Sequence, residues 1–499
     1  MSLSAAFNII SSSFAANAAQ TAVVSKNIAN VNAPGSSREI ANVVTNSYGG
    51  ADVASITRIA NAALSEQAAA STAAAAAQQA ISAGLSTLAQ TVSDSALASS
   101  TSGAYQNGAS PAAMLGNLQS ALAAYEASPS STASADAAVT AASSLAASLN
   151  AGSAAVSQVR GKADGDMASS VKTINALLSQ FKAANDAVVS GLATGANVAS
   201  AEDSRDSIVG QLSQQIGVST TVAANGSMSI YADNGVTLFQ DTARTVAFTP
   251  TATLVTGTSG AAVTVDGVPI TGSGSPNPIR SGALAGYAAL RDSLAPQYQA
   301  QLDQIAAGLI NAFAEADQSP SPTLPSLPGL FTAPGLTSLP SMSAATGLAA
   351  SIKVNPSVDP SQGGDATLLR DGGISSSNPA YVYNPTGAAS YTGRIQELMD
   401  QVSAAQSFEP SAGLATSASL TDYTNASVSW LQGENQRASD AAAYENAVAT
   451  QAQSALSNAT GVNLDAEMTN MLALENAYAS SAKLLTTVNA MYSALLNAA

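Results

Sequence analysis

The sequence predicts a mainly α-helical chain with one small antiparallel β unit, an α+β composition within an elongated rod of long helices. Its N- and C-terminal helices are expected to pair as a coiled coil. Three observations carry this. Apolar residues recur at intervals of three and four at both ends and through most of the middle. The period changes to two only around residues 220–240 and 262–271, where Asn-Gly and Asp-Gly pairs separate short β-prone runs. Aromatic residues are 4% and charged residues 10% of the 499 positions, with Ala, Ser, Thr and Gly in their place. Small side chains let helices approach closely but give each core position little apolar area.

The elements follow in order. Leu3, Phe7, Ile10, Phe14, Asn17, Thr21, Val24, Ile28 and Val31 step by three and four, a helical seam with two polar interruptions. An amphipathic helix docked on its own domain fits this spacing as well. The stretch "VVSKNIANVNAPGSSREI" (residues 23–40) ends the helical pattern at a Pro34-Gly35 turn pair and holds Asn27, Asn30 and Asn32. After a turn at Gly49-Gly50, helix is expected over 53–100, with a stripe of Ile81, Leu85, Leu88 and Val92. A polar break at 99–111 precedes a helix through Met114, Leu118, Leu122 and Tyr125. Helices at 134–149, 153–192 and 200–217 come next, the last opening on acidic residues suited to a helix N-terminus.

Hairpin turns are expected at Asn225-Gly226, Asn234-Gly235 and Asp266-Gly267. Helix returns over 281–317, kinked at Pro296. Residues 319–341 are proline-rich and extended, and little regular pattern follows up to 388. Helices at 391–406 and 417–456 lead to a terminal one. There Met471, Leu474, Tyr478, Ser481, Leu485, Val488, Tyr492 and Leu495 repeat the seam spacing, while Leu484, Met491 and Leu496 lie off it.

The domain organisation read from this pattern has four parts. Residues 1–45 with 455–499 form a terminal coiled-coil assembly domain. Residues 46–214 with 279–318 and 389–454 form a helical rod domain. Residues 215–278 are a small β-hairpin unit within it, and 319–388 a Pro/Gly/Ser-rich irregular insert.

Composition excludes several functions. There is no cysteine and no histidine, so thiol and imidazole chemistry and the commonest zinc ligands are absent. The formal charge of −16 argues against a nucleic-acid partner. The alanine runs are interrupted well before about 18 apolar residues, so no membrane insertion is expected. The first charge is Lys26, and Asn8, Ser11, Ser12, Ser13 and Asn17 break any apolar run, so a cleavable signal peptide is not expected. No catalytic motif stands out, and neither enzyme activity nor a cofactor or metal is expected. Val156 occupies the position where a phosphate loop ending at Gly161-Lys162 needs glycine, which leaves Gly161 a loop residue. Asp164-Gly165-Asp166 lacks the further ligands of a calcium loop and reads as a solvated turn. Glu202, Asp203, Arg205 and Asp206 read as a helix start rather than an acid cluster.

Both ends carry recognisable motifs. "SKNIANVNAPGSSREI" resembles the N-terminal signature of bacterial flagellar axial proteins through Ser25, Asn27, Ile28, Ala29, Asn30, Gly35 and Arg38; Lys26 and Ser36 depart from it. "TGVNLDAEMTNMLALENAYASSAKLLTTVNAMYSALLN" (460–497) resembles the C-terminus of the hook-associated protein 1 family through Gly461 to Asp465, Glu467, Tyr478, Ala479 and Ala482. Residues 204–240 and 281–313 resemble that family's helix-to-hairpin segment and second long helix.

The resemblance implies an extracellular structural protein at the junction between flagellar hook and filament, exported uncleaved through the flagellar type III apparatus. It implies a homo-oligomeric ring, hook protein and the second hook-associated junction protein as neighbours, and an export chaperone on the C-terminal helix. Larger relatives carry an additional outer domain where 319–388 stands. The candidate assembly interface is Leu3, Phe7, Ile10, Phe14, Val24, Asn27, Ile28 and Asn30 with Met471, Leu474, Tyr478, Leu484, Leu485, Val488, Tyr492 and Leu495. The alternatives are another flagellar axial protein, a secreted surface adhesin, or an enzyme using carboxylates in the insert.

Overall fold

The computed structural model describes residues 3–33, 35–93 and 110–498. Pro34 and most of the polar break at 99–111 lie outside them. The chain is mainly helical, as its periodicity requires, with small antiparallel sheets. Helix α1 (Leu3–Ala29) runs into a β-hairpin, β1 (Glu39–Thr45) and β2 (Ala51–Arg58). The hairpin corrects the expected helix from residue 53. Ile40, Val43, Val44, Val53 and Ile56 are β-branched, and Asn46 Oδ1 accepts the N–H groups of Tyr48 and Gly50 to close the turn. Helix begins only at α2 (Ala62–Ala89), capped by the Asn61 side chain.

Helix α3 (Pro111–Ala127) leads to α4 (Thr132–Thr194). The two helices expected at 134–149 and 153–192 are this single one, 63 residues, about 95 Å long at 1.5 Å per residue. Glycine there serves packing, not chain reversal: a Cβ on Gly152 would lie 3.0 Å from Leu302. Gly161 and Gly165 are likewise interior helical positions, so neither a loop glycine nor a solvated turn stands there. Gly195, at φ +73°, ends the helix. Helix α5 (Ala199–Gln215) follows.

The β unit contains β3 (Val218–Val222), β4 (Met228–Ala232), β5 (Thr237–Gln240) and β6 (Thr242–Ala243) in one antiparallel sheet. Strands β7 (Val246–Ala247), β8 (Thr264–Val265) and β9 (Val268–Pro269) make another. The expected turns are present, with Gly226, Gly235, Asp266 and Gly267 all at positive φ. Helix α6 (Ala283–Ala289) passes through a π-helical turn, Leu290–Leu294, into α7 (Ala295–Ala312), which ends before the expected 317. The π turn falls just ahead of Pro296, whose missing N–H a regular ladder would have required.

Helix α4 is the spine of two cores. Its second half packs Met167, Ile174, Leu178 and Phe181 against α5, α6 and the β unit. Its first half packs with α3 and α7, and beyond the short α8 (Leu368–Asp371) two later helices, α9 (Gly393–Ser403) and α10 (Leu420–Thr460), join the same core against α3 and α7. Residues 319–388 have little regular structure, yet Leu330, Phe331, Ile352, Val358 and Leu369 belong to that same core. Polar groups fix the segment too. Buried Glu315 accepts the N–H groups of Ile374 and Ser375, and buried Asp303 those of Gly347 and Ala349. Helices α2 and α10 lie along each other, and both bury alanines, among them Ala68, Ala69 and Ala73 on one and Ala438, Ala442, Ala449 and Ala452 on the other. The chain then turns at residues 461–463 into α11 (Leu464–Ala498), which lies along α1.

Candidate assembly interface

Helices α1 and α11 run antiparallel. Phe14 meets Tyr478 edge to face, ring centroids 4.9 Å apart, while Asn27 reaches Glu467. The seam follows from the spacing. Ile10, Val24 and Asn27 are buried; Leu3, Phe14, Ile28, Asn30, Met471, Leu474, Leu485 and Val488 are half-buried. Phe7, Tyr478, Leu484, Tyr492 and Leu495 are exposed. Tyr492 and Leu495 lie beyond Val488 toward the end of α11, where their side chains are uncovered. Leu484 lies on another face and is 58% exposed.

The base of the pair is a polar knot built by the N-terminal motif. Asn27 Oδ1 accepts the Glu39 N–H at 3.0 Å, and its Nδ2 donates to the Glu39 carbonyl at 2.9 Å and to Glu467 Oε2 at 3.2 Å. One amide thus imitates a strand partner for β1 and ties down α11. Arg38 Nε donates to Glu467 Oε1 at 2.6 Å, while the Arg38 N–H donates to the Thr460 carbonyl. Lys26 Nζ bonds Glu39 Oε1 at 2.5 Å and Ser200 Oγ at 2.6 Å. Asn27, Glu39 and Glu467 are all buried, and each has its partners. Asn27 and Arg38 stand out in the N-terminal motif and Glu467 in the C-terminal one. Their meeting is invisible there, because residues so distant in sequence carry no common spacing.

Beside the knot, Arg58 fills a cradle of three carboxylates: Glu202 at 3.0 Å, Asp203 at 3.1 Å and Asp206 at 2.7 Å. Burial alone would lower the Arg58 pKa, but Asp206, Glu202 and Asp203 outweigh it and hold the guanidinium above its ordinary value. Asp203 also accepts the Ser37 hydroxyl at 2.5 Å. The acidic stretch does open α5, with Glu202 in its first turn, but its carboxylates also serve as a receptor for the hairpin. Deeper in the rod, Asp164 pairs with the fully buried Arg291 at 2.5 Å, and Asp166 with Lys162 at 2.6 Å. The Asp164-Gly165-Asp166 motif is therefore a structural ion-pair element. No helix is long and apolar enough to cross a membrane among the described residues.

The chain is thus an elongated, mainly helical protein whose two end helices are knotted together. Residues 104–319 match the family model of the flagellar hook-associated protein FlgK helical domain. Residues 452–498 match that of the flagellar basal body rod FlgEFG protein C-terminal. These two matches support a flagellar hook-associated protein of the FlgK kind. Among solved structures, the flagellar hook junction protein FlgK from Burkholderia pseudomallei is similar at 22% identity and a TM-score of 0.40. That similarity covers 54% of this chain and 46% of the other, so under half of that protein is spanned. No curated protein matches the chain.

Proposed function

We propose that this protein is a subunit of the junction between flagellar hook and filament, exported uncleaved by the flagellar type III apparatus and assembled outside the cell through α1 and α11. The observation that carries the reading is the Asn27–Glu467–Arg38 knot, which makes one unit of the two ends. That unit presents Leu484, Met491, Tyr492, Leu495 and Leu496 uncovered. Such a row of exposed apolar side chains on one helix marks a surface that another surface covers. Further copies in a ring cover it in the assembled state, and a chaperone on the same helix would cover it before export. Hook protein on one side and the second hook-associated junction protein on the other are the neighbours this placement requires. Its work is then mechanical, and no catalytic step is assigned to it.

Removing the gene tests the reading. Cells should build complete hooks that carry no filament, and the full-length protein supplied in trans should restore filaments and motility. Growth stopping before the hook would instead favour another axial protein, the reading that the C-terminal match with rod proteins supports. Normal flagella would overturn both.

A further inference from the structure

The surface joining the terminal unit to the rod differs in kind from the rest of the molecule. Helix α5 turns Ile208 and Leu212 into the core of the β unit. To the terminal unit it offers Ser200, Glu202, Asp203 and Asp206. These receive Lys26 from α1, Ser37 from the loop before β1, and Arg58 from β2. Gly35, at φ +78°, lets that loop lie against Ser207, where an added Cβ would come within 3.3 Å. In a chain with only 16 Lys and Arg residues, three of them, Lys26, Arg38 and Arg58, gather at the base of the terminal unit. The carboxylates facing them are Glu39, Glu202, Asp203, Asp206 and Glu467, while the neighbouring Arg205 turns away to the Gly226 carbonyl. Two short chain connections, residues 59–61 and 461–463, complete the attachment.

An interface held by hydrogen bonds and ion pairs, with its apolar residues committed elsewhere, is the kind across which domains move. We infer that this contact is an ionic latch. With Arg58 seated in its cradle, the α1–α11 pair points in one direction from the rod. With the cradle released, the pair swings about residues 59–61 and 461–463 while both parts stay folded. The terminal knot of Asn27, Arg38 and Glu467 is internal to the moving unit, apart from the bond between the Arg38 N–H and the Thr460 carbonyl. The use of such a latch in fitting a subunit between unlike neighbours rests on the junction reading; its existence does not.

The absence of cysteine gives a direct test on the free full-length chain. Ala473→Cys on α11 and Ser179→Cys on α4, both at exposed positions, carry two spin labels. The distance distribution between them should be a single narrow peak in the otherwise unaltered chain. It should broaden in Arg58→Met, and again in the triple variant Glu202→Gln, Asp203→Asn, Asp206→Asn, which breaks the latch from the other side. Cooperative thermal unfolding of the rod should persist in both. A peak that stays narrow in both variants, a distribution already broad before substitution, or loss of rod unfolding in both would each overturn the inference. None of these outcomes depends on where the protein sits in a flagellum, so failure of the latch and failure of the junction reading are separable.

Discussion

Asn27 and Glu467 meet through a 3.2 Å hydrogen bond between buried side chains, one from each end of the chain. The amide cannot be turned over, because its oxygen is required by the Glu39 N–H and its nitrogen by two acceptors. Its position, type and orientation are therefore all fixed by the knot.

Asn27→Leu should consequently be costly although it conserves size. It strands the Glu39 N–H and carbonyl and removes one partner of Glu467. A buried polar group left unpaired costs about 1–3 kcal/mol, so a loss of several kcal/mol in the coupling of α1 to α11 is expected. Hydrogen exchange is the measurement. Amides near Val24 and Glu467 should be the best protected of the pair and should lose protection in the variant, while those of α4 and α7 keep theirs. Equal protection in both proteins would mean that the knot does not hold the ends.

What the sequence revealed and concealed follows from the range of the interactions. The seams of α1 and α11, the stripes of α4 and α7 and the Asn-Gly hairpins depend on spacings of two to four residues, and were legible. The β1–β2 hairpin was missed because its β-branched residues sit between two helices, with only Gly49-Gly50 marking the turn. The break expected between residues 149 and 153 was an error of the opposite kind: Gly152 lowers the propensity of a helix, but here it makes room for Leu302. In the candidate interface the apolar members were readable one helix at a time. The Asn27–Glu467, Arg38–Glu467 and Arg58–Asp203 partnerships depend on tertiary placement and left no local trace.

Gly286 gives a test of the rod that leaves the ends alone. A Cβ there would lie 2.4 Å from the Ala77 carbonyl oxygen and 2.9 Å from Ala80 Cβ, both on α2. Backbone cannot yield as a flexible side chain can. Gly286→Val should force α2 and α6 apart and cost about 1–3 kcal/mol or more. Chemical denaturation should show a lower midpoint with an unchanged slope, whereas an unchanged midpoint would contradict the close packing of the two helices.

Asp303 predicts a pH dependence. Burial raises its pKa to about 6, against the opposing hydrogen bonds from Gly347, Ala349 and Gln299. A folded-state pKa above the unfolded one means that protonation favours the folded state. The stabilising contribution is complete below the ordinary aspartate value of about 4 and is lost as pH rises through about 6. The difference between those two values is worth about 2–3 kcal/mol. Unfolding free energies measured across this interval should fall with rising pH in the natural protein relative to Asp303→Asn, which carries a constant offset instead. Parallel curves for the two proteins would remove Asp303 as the source.

Leu484 and Leu485 are adjacent, yet the fold gives them different surroundings, and that difference separates pairing from assembly. Leu485 is half-buried along α1, whereas Leu484 is exposed on another face of the same helix. Leu485→Asp puts a carboxylate into the seam between Ser481 and Val488, and exposed Lys483 lies outside that seam. Burying such a charge unpaired costs several kcal/mol, more than a thin helix pair can absorb. Leu484→Asp puts the same charge in water and should leave the α1–α11 pair of the free protein intact. Both variants are expected to give cells with complete hooks, no filament and no motility, with the stability of the rod unchanged. They should differ in the free protein, where only Leu485→Asp increases hydrogen exchange along α1. Loss of chaperone contact would produce the same cells by a different route, so secretion has to be followed as well. Protein released into the medium but absent from flagella places the defect in assembly, while retention inside the cell places it before export. Motile cells with assembled Leu485→Asp protein would show that this face of α11 is not covered by α1 in the flagellum.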